Sequence, residues 1–204
     1  MDLTKLLIIE GAVVLVGLPL FFVSQALKEK GMILDNFIEN KLPSQNALKL
    51  PSKQKLLELE RIARKHGSGI DFASLIGLWS FVYVWKKDSD KDDMVSSSLL
   101  RLFSASLDIR QKEPNEFSIT NSIHFGPLSI LFRGLGNLKG RQPLLPFFFD
   151  CIELKAGSRV VFNRSLQIPE EKNRPFFALI SMGESCKWLS ARGRGGGLAL
   201  WIKG

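Results

Sequence analysis

The 204-residue chain is poor in the residues that build metal centres and redox sites. It has two cysteines, Cys151 and Cys186, and two histidines, His66 and His124. Their separations fit no zinc or dithiol motif, so a His/Cys metal site is not expected. Two free thiols in a reducing compartment is the simplest reading, with a single disulfide between them as the alternative. Catalytic signatures are missing as well: there is no Gly-x-Ser-x-Gly elbow, no P-loop and no His-Glu-x-x-His helix. The Asp-rich run 87–93 lacks the glycine and the closing glutamate of a calcium loop and reads as a solvated turn. Gly134-Leu-Gly136 opens no helical pattern, which argues against a phosphate loop. His124 lies on the polar face of a strand with no nucleophile beside it and reads as a surface residue, and His66 as the end of a helix. These absences predict a protein that is not an enzyme and carries no cofactor.

What is present is apolar and basic. Hydrophobic residues make up 45% of the chain, enough to bury a core, and the formal net charge is +8. A basic balance suits an anionic membrane surface, an acidic partner or nucleic acid. The membrane ranks first because residues 6–23 form the longest apolar run, close to the roughly 20 residues needed to span a bilayer. Glu10 sits near the end of that run, where a carboxylate reaches the interface, and Pro19 and two glycines are tolerated in membrane helices. A cleaved signal peptide and a buried or interfacial helix are the competing readings. The run is not an organelle transit peptide, which would be amphipathic and rich in Arg and Ser. Lys28 and Lys30 after the run weakly favour placing the rest of the chain on the cytoplasmic or stromal side.

Three regions follow: residues 1–30, the hydrophobic anchor; 31–51, an amphipathic segment and linker; and 52–204, a folded domain. In the linking region Met32, Ile33, Leu34, Phe37, Ile38 and Leu42 recur at helical spacing. Ser52 is a candidate N-cap for a helix to about His66, with Leu56, Leu57, Leu59, Ile62 and Ala63 as its apolar stripe and Gly67 as its stop. From Leu75 the period changes to two. In 75–87, Gly77, Trp79, Phe81, Tyr83 and Trp85 share one face. In 99–111, Phe103, Ala105, Leu107 and Ile109 do so. In 117–125, Phe117, Ile119, Asn121, Ile123 and Phe125 share a face, opposed by Ser118, Thr120, Ser122 and His124. Shorter strands are expected at 128–132, 147–154, 159–163, 175–181 and 198–202, with a turn over 134–140. Many short strands behind N-terminal helices predict a mainly β fold, an antiparallel barrel or sandwich. Arg192-Gly-Arg-Gly-Gly-Gly197 resembles a segment that binds single-stranded RNA. Being one copy between Trp188 and Leu198, it reads better as a tight turn, and no nucleic-acid partner is expected.

Gly77-Leu-Trp79 on the first strand and Arg192 before the last resemble the lipocalin arrangement, in which a late guanidinium stacks on an early indole and closes one end of the barrel. A fuller set extends the likeness: the 53–59 helix, Leu75-x-Gly77-x-Trp79-x-x-x-Tyr83, Phe117-x-Ile119-x-Asn121, and Arg192-Gly193-x-x-Gly196-x-Leu198. In this order they resemble the plastid-lipid-associated protein (fibrillin) family of plants and cyanobacteria, over residues 52–204. The resemblance implies a lipocalin-like barrel associated with thylakoid membranes that binds a fatty acid, quinone or carotenoid. The lack of a transit peptide points to a cyanobacterial member. The run 184–189 departs from the family, replacing the Tyr-Leu-Asp and Leu-Arg that usually precede the Arg-Gly. On this reading Phe81, Tyr83, Phe117, Ile119, Asn121, Ile123 and Phe125 face the barrel interior, and Trp79 and Arg192 form the closing pair. Whether those residues line a cavity or fill a core is open, since a small barrel does either. Two roles follow: a membrane-anchored binder of a lipid or isoprenoid, or an accessory or assembly subunit of a photosynthetic membrane complex with a filled barrel.

Overall fold

In the computed structural model, residues 50–85, 105–141 and 143–204 are described. The anchor run 6–23, the amphipathic segment and the charged run 87–93 lie outside them. No helix among the described residues is long and apolar enough to cross a membrane.

The helix α1 spans Lys53–His66. Ser52 caps it by accepting from the Lys55 amide, and Gly67, at φ 88°, ends it. A Cβ on Gly67 would also come within 2.6 Å of the Arg141 carbonyl oxygen. Its buried side differs from the expected stripe. Leu56, Glu60 and Ala63 face inward, while Leu57 and Ile62 are each 44% exposed. A second, one-turn helix, α2 (Phe72–Leu75), is capped by Asp71, whose carboxylate accepts from the Ser74 amide at 2.8 Å. That hydrogen bond holds the Asp71 carboxyl below the usual carboxylate range. Leu75 therefore ends a helix and does not begin a strand.

Among the described residues nine strands follow: β1 (Gly77–Trp85), β2 (Ser106–Glu113), β3 (Glu116–Phe125), β4 (Leu128–Asn137), β5 (Leu144–Ala156), β6 (Arg159–Ser165), β7 (Phe176–Met182), β8 (Trp188–Gly193) and β9 (Leu198–Lys203). The fold is mainly β, as the patterning predicts, with every pairing antiparallel in one sheet. The pairings form a ring: β1 to β4 pair in sequence, β4 pairs with β5, β5 with β7, and β7, β8 and β9 return to β1. Strand β6 stands outside the ring, paired to the second half of β5. The 13-residue β5 is long enough to meet β7 at Leu144–Pro146 and β6 from Cys151 on.

Two strands differ from expectation. The turn placed at 134–140 is strand as far as Asn137, because its glycines serve close approach between backbones. A Cβ on Gly134 would lie 1.8 Å from the Phe148 carbonyl oxygen, and one on Gly136 would lie 2.6 Å from Ile119 Cδ1. Strand β8, which the alternation does not announce, completes the ring between β7 and β9.

The ring packs two apolar layers. On the inner face Trp79, Phe81, Leu107, Ile109, Phe117, Ile119, Ile123, Leu145, Phe147, Leu179, Leu189, Ala191 and Trp201 belong to one buried cluster. On the outer face, Leu56 of α1 packs with Trp85, Ile180, Leu198 and Leu200, and Tyr83 joins them.

Candidate functional site

Strand β1 feeds both layers. The β1–β9 register shifts between Phe81 and Tyr83. One extra residue in a strand reverses which face every later side chain takes. Trp79 and Phe81 point inward; beyond the shift, Tyr83 and Trp85 pack on the α1 side and Val84 turns to the inner cluster. Tyr83, expected in the interior, therefore belongs to the outer layer, stacked on Trp85 with ring centroids 5.6 Å apart. An uninterrupted alternation could not reveal this, since the bulge lies between two residues of the same apolar type.

The remaining interior candidates come together. Phe117 is fully buried and stacks on Phe72 of α2 at 3.9 Å, so α2 seals the ring beside it. Ile119 and Ile123 are buried in the same cluster. Rings fill the space across from them. Phe81 meets Trp201 edge-on at 6.1 Å, Trp201 meets Phe177 at 5.4 Å, and Phe177 stacks on Phe147 at 5.1 Å. Asn121 alternates with Ile119 and Ile123 and so shares their face, but it is only half-buried. The backbone of Phe125 pairs with Leu128; its side chain lies outside what is described.

Around Asn121 the inner face is less closed. Asn121 is opposite Phe132, and Ile123 is opposite Ile130. Phe132 and Ile130 in turn are opposite Ile152 and Leu154 of β5. Facing partners share a side of the sheet, so Ile130, Ile152 and Leu154 continue the inner face. All three are partly exposed, unlike Trp79, Phe117 and Ile119. They lie where β5 is flanked by β6 and no longer by β7.

The expected closing pair of Trp79 and Arg192 is corrected. The register sets Trp79 opposite Lys203, whereas Arg192 is opposite Leu198, and Leu198 opposite Trp85. The two are thus at opposite ends of β9. They are also on opposite faces, because Ala191 points into the inner cluster and Arg192 away from it. Lys203 takes the position over the indole. Its ammonium lies 5.0 Å from the Trp79 ring centroid, and the indole Nε1 donates to the Leu75 carbonyl at 2.8 Å. Gly77 makes this possible, since a Cβ there would come within 2.7 Å of Lys203 Cε.

Arg192 instead clamps helix α1 to the sheet. Its Nε and Nη2 donate to the two oxygens of Glu60 at 2.6 and 2.5 Å, and its Nη1 donates to the Gly196 carbonyl at 2.6 Å. Arg64 adds a second guanidinium to Glu60 at 2.8 Å. Burial pushes the Glu60 carboxyl up, but the hydrogen bonds and charges of Arg192 and Arg64 outweigh it and hold the group below the usual carboxylate range. These residues line an open cleft of about 280 Å³ whose apolar wall is Phe176, Ala178 and Ile180 and whose rim carries Arg194. No local signal in the sequence marks Glu60, because its partner lies 132 residues away. The glycine-rich run forms the β8–β9 turn, closed by the Gly193 amide donating to Gly197 at 2.9 Å.

His124 is exposed, with Nδ1 2.8 Å from the Ser129 hydroxyl. Both cysteines are free, and Cys151 Sγ donates to Asn163 at 3.2 Å. Among the described residues no group of His, Cys, Asp and Glu is placed to hold a metal ion. No protein-family model matches the sequence, and no curated protein matches it.

Proposed function

We propose that this chain is a non-catalytic binder of a lipid or isoprenoid at a photosynthetic membrane, built on a lipocalin-like barrel of the plastid-lipid-associated type. The closed ring of strand pairings behind an N-terminal helix supports the barrel. One observation carries the binding role: the inner face is sealed around Trp79 and Phe117 but leaves Ile130, Ile152 and Leu154 partly open beside the polar amide of Asn121. An apolar wall with one polar group suits a long hydrophobic molecule with a single polar end, such as a fatty acid, quinone or carotenoid. Of the residues expected to bind, Ile123 and Asn121 border that opening, and Phe81, Phe117 and Ile119 belong to the packed core behind it. The apolar run 6–23 would anchor the domain, and a net charge of +8 suits an anionic leaflet on the cytoplasmic or stromal side of a thylakoid.

A second reading has its own support. The chain of ring contacts through Phe81, Trp201, Phe177 and Phe147 fills much of the interior, which fits an accessory or assembly subunit whose partners bind outside. Extraction from the native membrane in mild detergent, followed by mass spectrometry, separates the two. A stoichiometric lipid or quinone supports the first reading. An empty domain that migrates with a large complex sinks it in favour of the second.

A further inference from the structure

Strand β6 is an apolar, basic edge with nothing against its outer side among the described residues. It pairs with β5 along one side and ends the sheet on the other. Every residue from Arg159 to Ser165 is exposed. Val160, Val161 and Phe162 are 51%, 58% and 49% exposed. The register shift between Leu154 and Lys155 spreads them over both faces of the ribbon: Phe162 lies opposite inward Leu154, and Val160 opposite outward Lys155. The β3–β4 turn adds Leu128, 44% exposed. The two turns are joined where the Gly157 amide donates to the Pro127 carbonyl at 2.6 Å. Exposed edges of this kind are usually blunted by covering or by a bulge that turns them away. Here, among the described residues, the edge is uncovered, and besides the shift at Leu154/Lys155 it is blunted by charge of one sign. Lys155, Arg159 and Arg164 flank the apolar triplet, and no acidic residue occurs between Leu154 and Pro169. Arg159 and Arg164 make no ion pair among the described residues, while Lys155 lies 3.8 Å from Glu153.

We infer that the β5–β6 hairpin is a docking element for the surface of an anionic bilayer: Val160, Val161 and Phe162 enter the interface, and Arg159 and Arg164 meet lipid phosphates. Apolar insertion and attraction to anionic headgroups act together, and two cations with no ion pair among the described residues, beside three exposed hydrophobes, provide both. A second copy pairing edge to edge is the rival occupant. It would bring together two basic strands with no acidic residue on either to offset them, which charge complementarity disfavours. The inference rests on the membrane association proposed above and adds to it where the folded domain touches the lipid.

The test uses the full chain reconstituted into nanodiscs of phosphatidylcholine alone or mixed with phosphatidylglycerol, with hydrogen exchange read at the amides of 159–165. The expected result is roughly tenfold slower exchange of this segment in the anionic discs than in the neutral ones, lost at high salt and lost in Arg159→Glu/Arg164→Glu. Both arginines are exposed, so the double variant should unfold at the wild-type temperature. Val161→Ser/Phe162→Ser should remove the protection with its charges intact. A chain that enters both kinds of disc but exchanges equally fast at 159–165 in each overturns the docking and leaves the membrane reading standing. A chain that enters neither sinks both. Protection without lipid that rises with protein concentration assigns the edge to a second copy and overturns the inference.

Discussion

The inner face of β1, β8 and β9 and the part of their outer face beneath α1 are covered by different means. The inner face is closed chiefly by apolar packing, with Trp79, Leu189 and Ala191 all but fully buried. The outer face is covered in part by α1, and the helix is fixed by Leu56 together with a charged clamp of Glu60, Arg192 and Arg64. Apolar packing is non-directional and indifferent to pH, and it depends on volume. A bidentate ion pair is directional and depends on the ionisation of one carboxylate. The two layers should therefore fail under different insults.

The largest expected loss is on the inner face. Trp79→Ala should cost about 3–5 kcal/mol in denaturant unfolding, from the cavity left and the stranded Leu75 carbonyl. A cost under about 1 kcal/mol would show that the ring is not the stabilising core and would break the comparison.

Glu60→Ala strands Arg192 in the outer layer. Because the Arg192 side chain keeps about a fifth of its surface in water, the cost should be smaller, about 2–3 kcal/mol. If it matched the Trp79 loss, the helix and the ring would be one cooperative core and not two layers.

Acid should separate the layers further. The folded pKa of Glu60 is lowered, so its contribution is complete above the ordinary value of 4.5 and is lost as pH falls through the folded pKa. The stability advantage of wild type over Glu60→Gln should hold at neutral pH and narrow below pH 4.5, read as the difference in urea midpoint. Trp79→Ala should keep the same deficit at both ends of that range. A Glu60→Gln deficit that does not change with pH would mean that the clamp acts through shape and not charge.

The smallest effect belongs to the open part of the inner face. Leu154→Ala should cost only about 1 kcal/mol, since the side chain is already partly in water. The same variant should weaken retention of any co-purified lipid. Unchanged retention would move the ligand away from that wall.

How much of this was legible in the sequence follows the same division. The inner face was readable where alternation is unbroken: Phe117, Ile119 and Ile123 appear together on the cluster the pattern predicts. The antiparallel, mainly β plan and the bounds of α1 from Ser52 to Gly67 were readable too, because caps and period-two runs are local signals. The errors fall where a local rule met a tertiary one. Tyr83 was misplaced by a bulge, which period alone does not mark. Gly134 and Gly136 read as a turn, although they serve backbone contact across β4 and β5. Leu57 and Ile62 read as buried by their hydrophobicity, while a glutamate holds the inward position as the partner of an arginine 132 residues on. The same distance hid the true neighbour of Trp79. Lysine and arginine both suit an indole, and only strand register decides between Lys203 and Arg192.

The shift after Phe81 gives β1 a double membership. Four aromatic residues spaced two apart would put all their rings in a single layer; with one residue inserted, two go to the core and two to the helix. Removing Val82 would return Tyr83 and Trp85 to an interior already occupied by Phe177 and Trp201, and would strip Leu56 of the surface it rests on. The length of one strand, counted to a single residue, thus sets how large the interior is allowed to be and whether the helix has anything to hold.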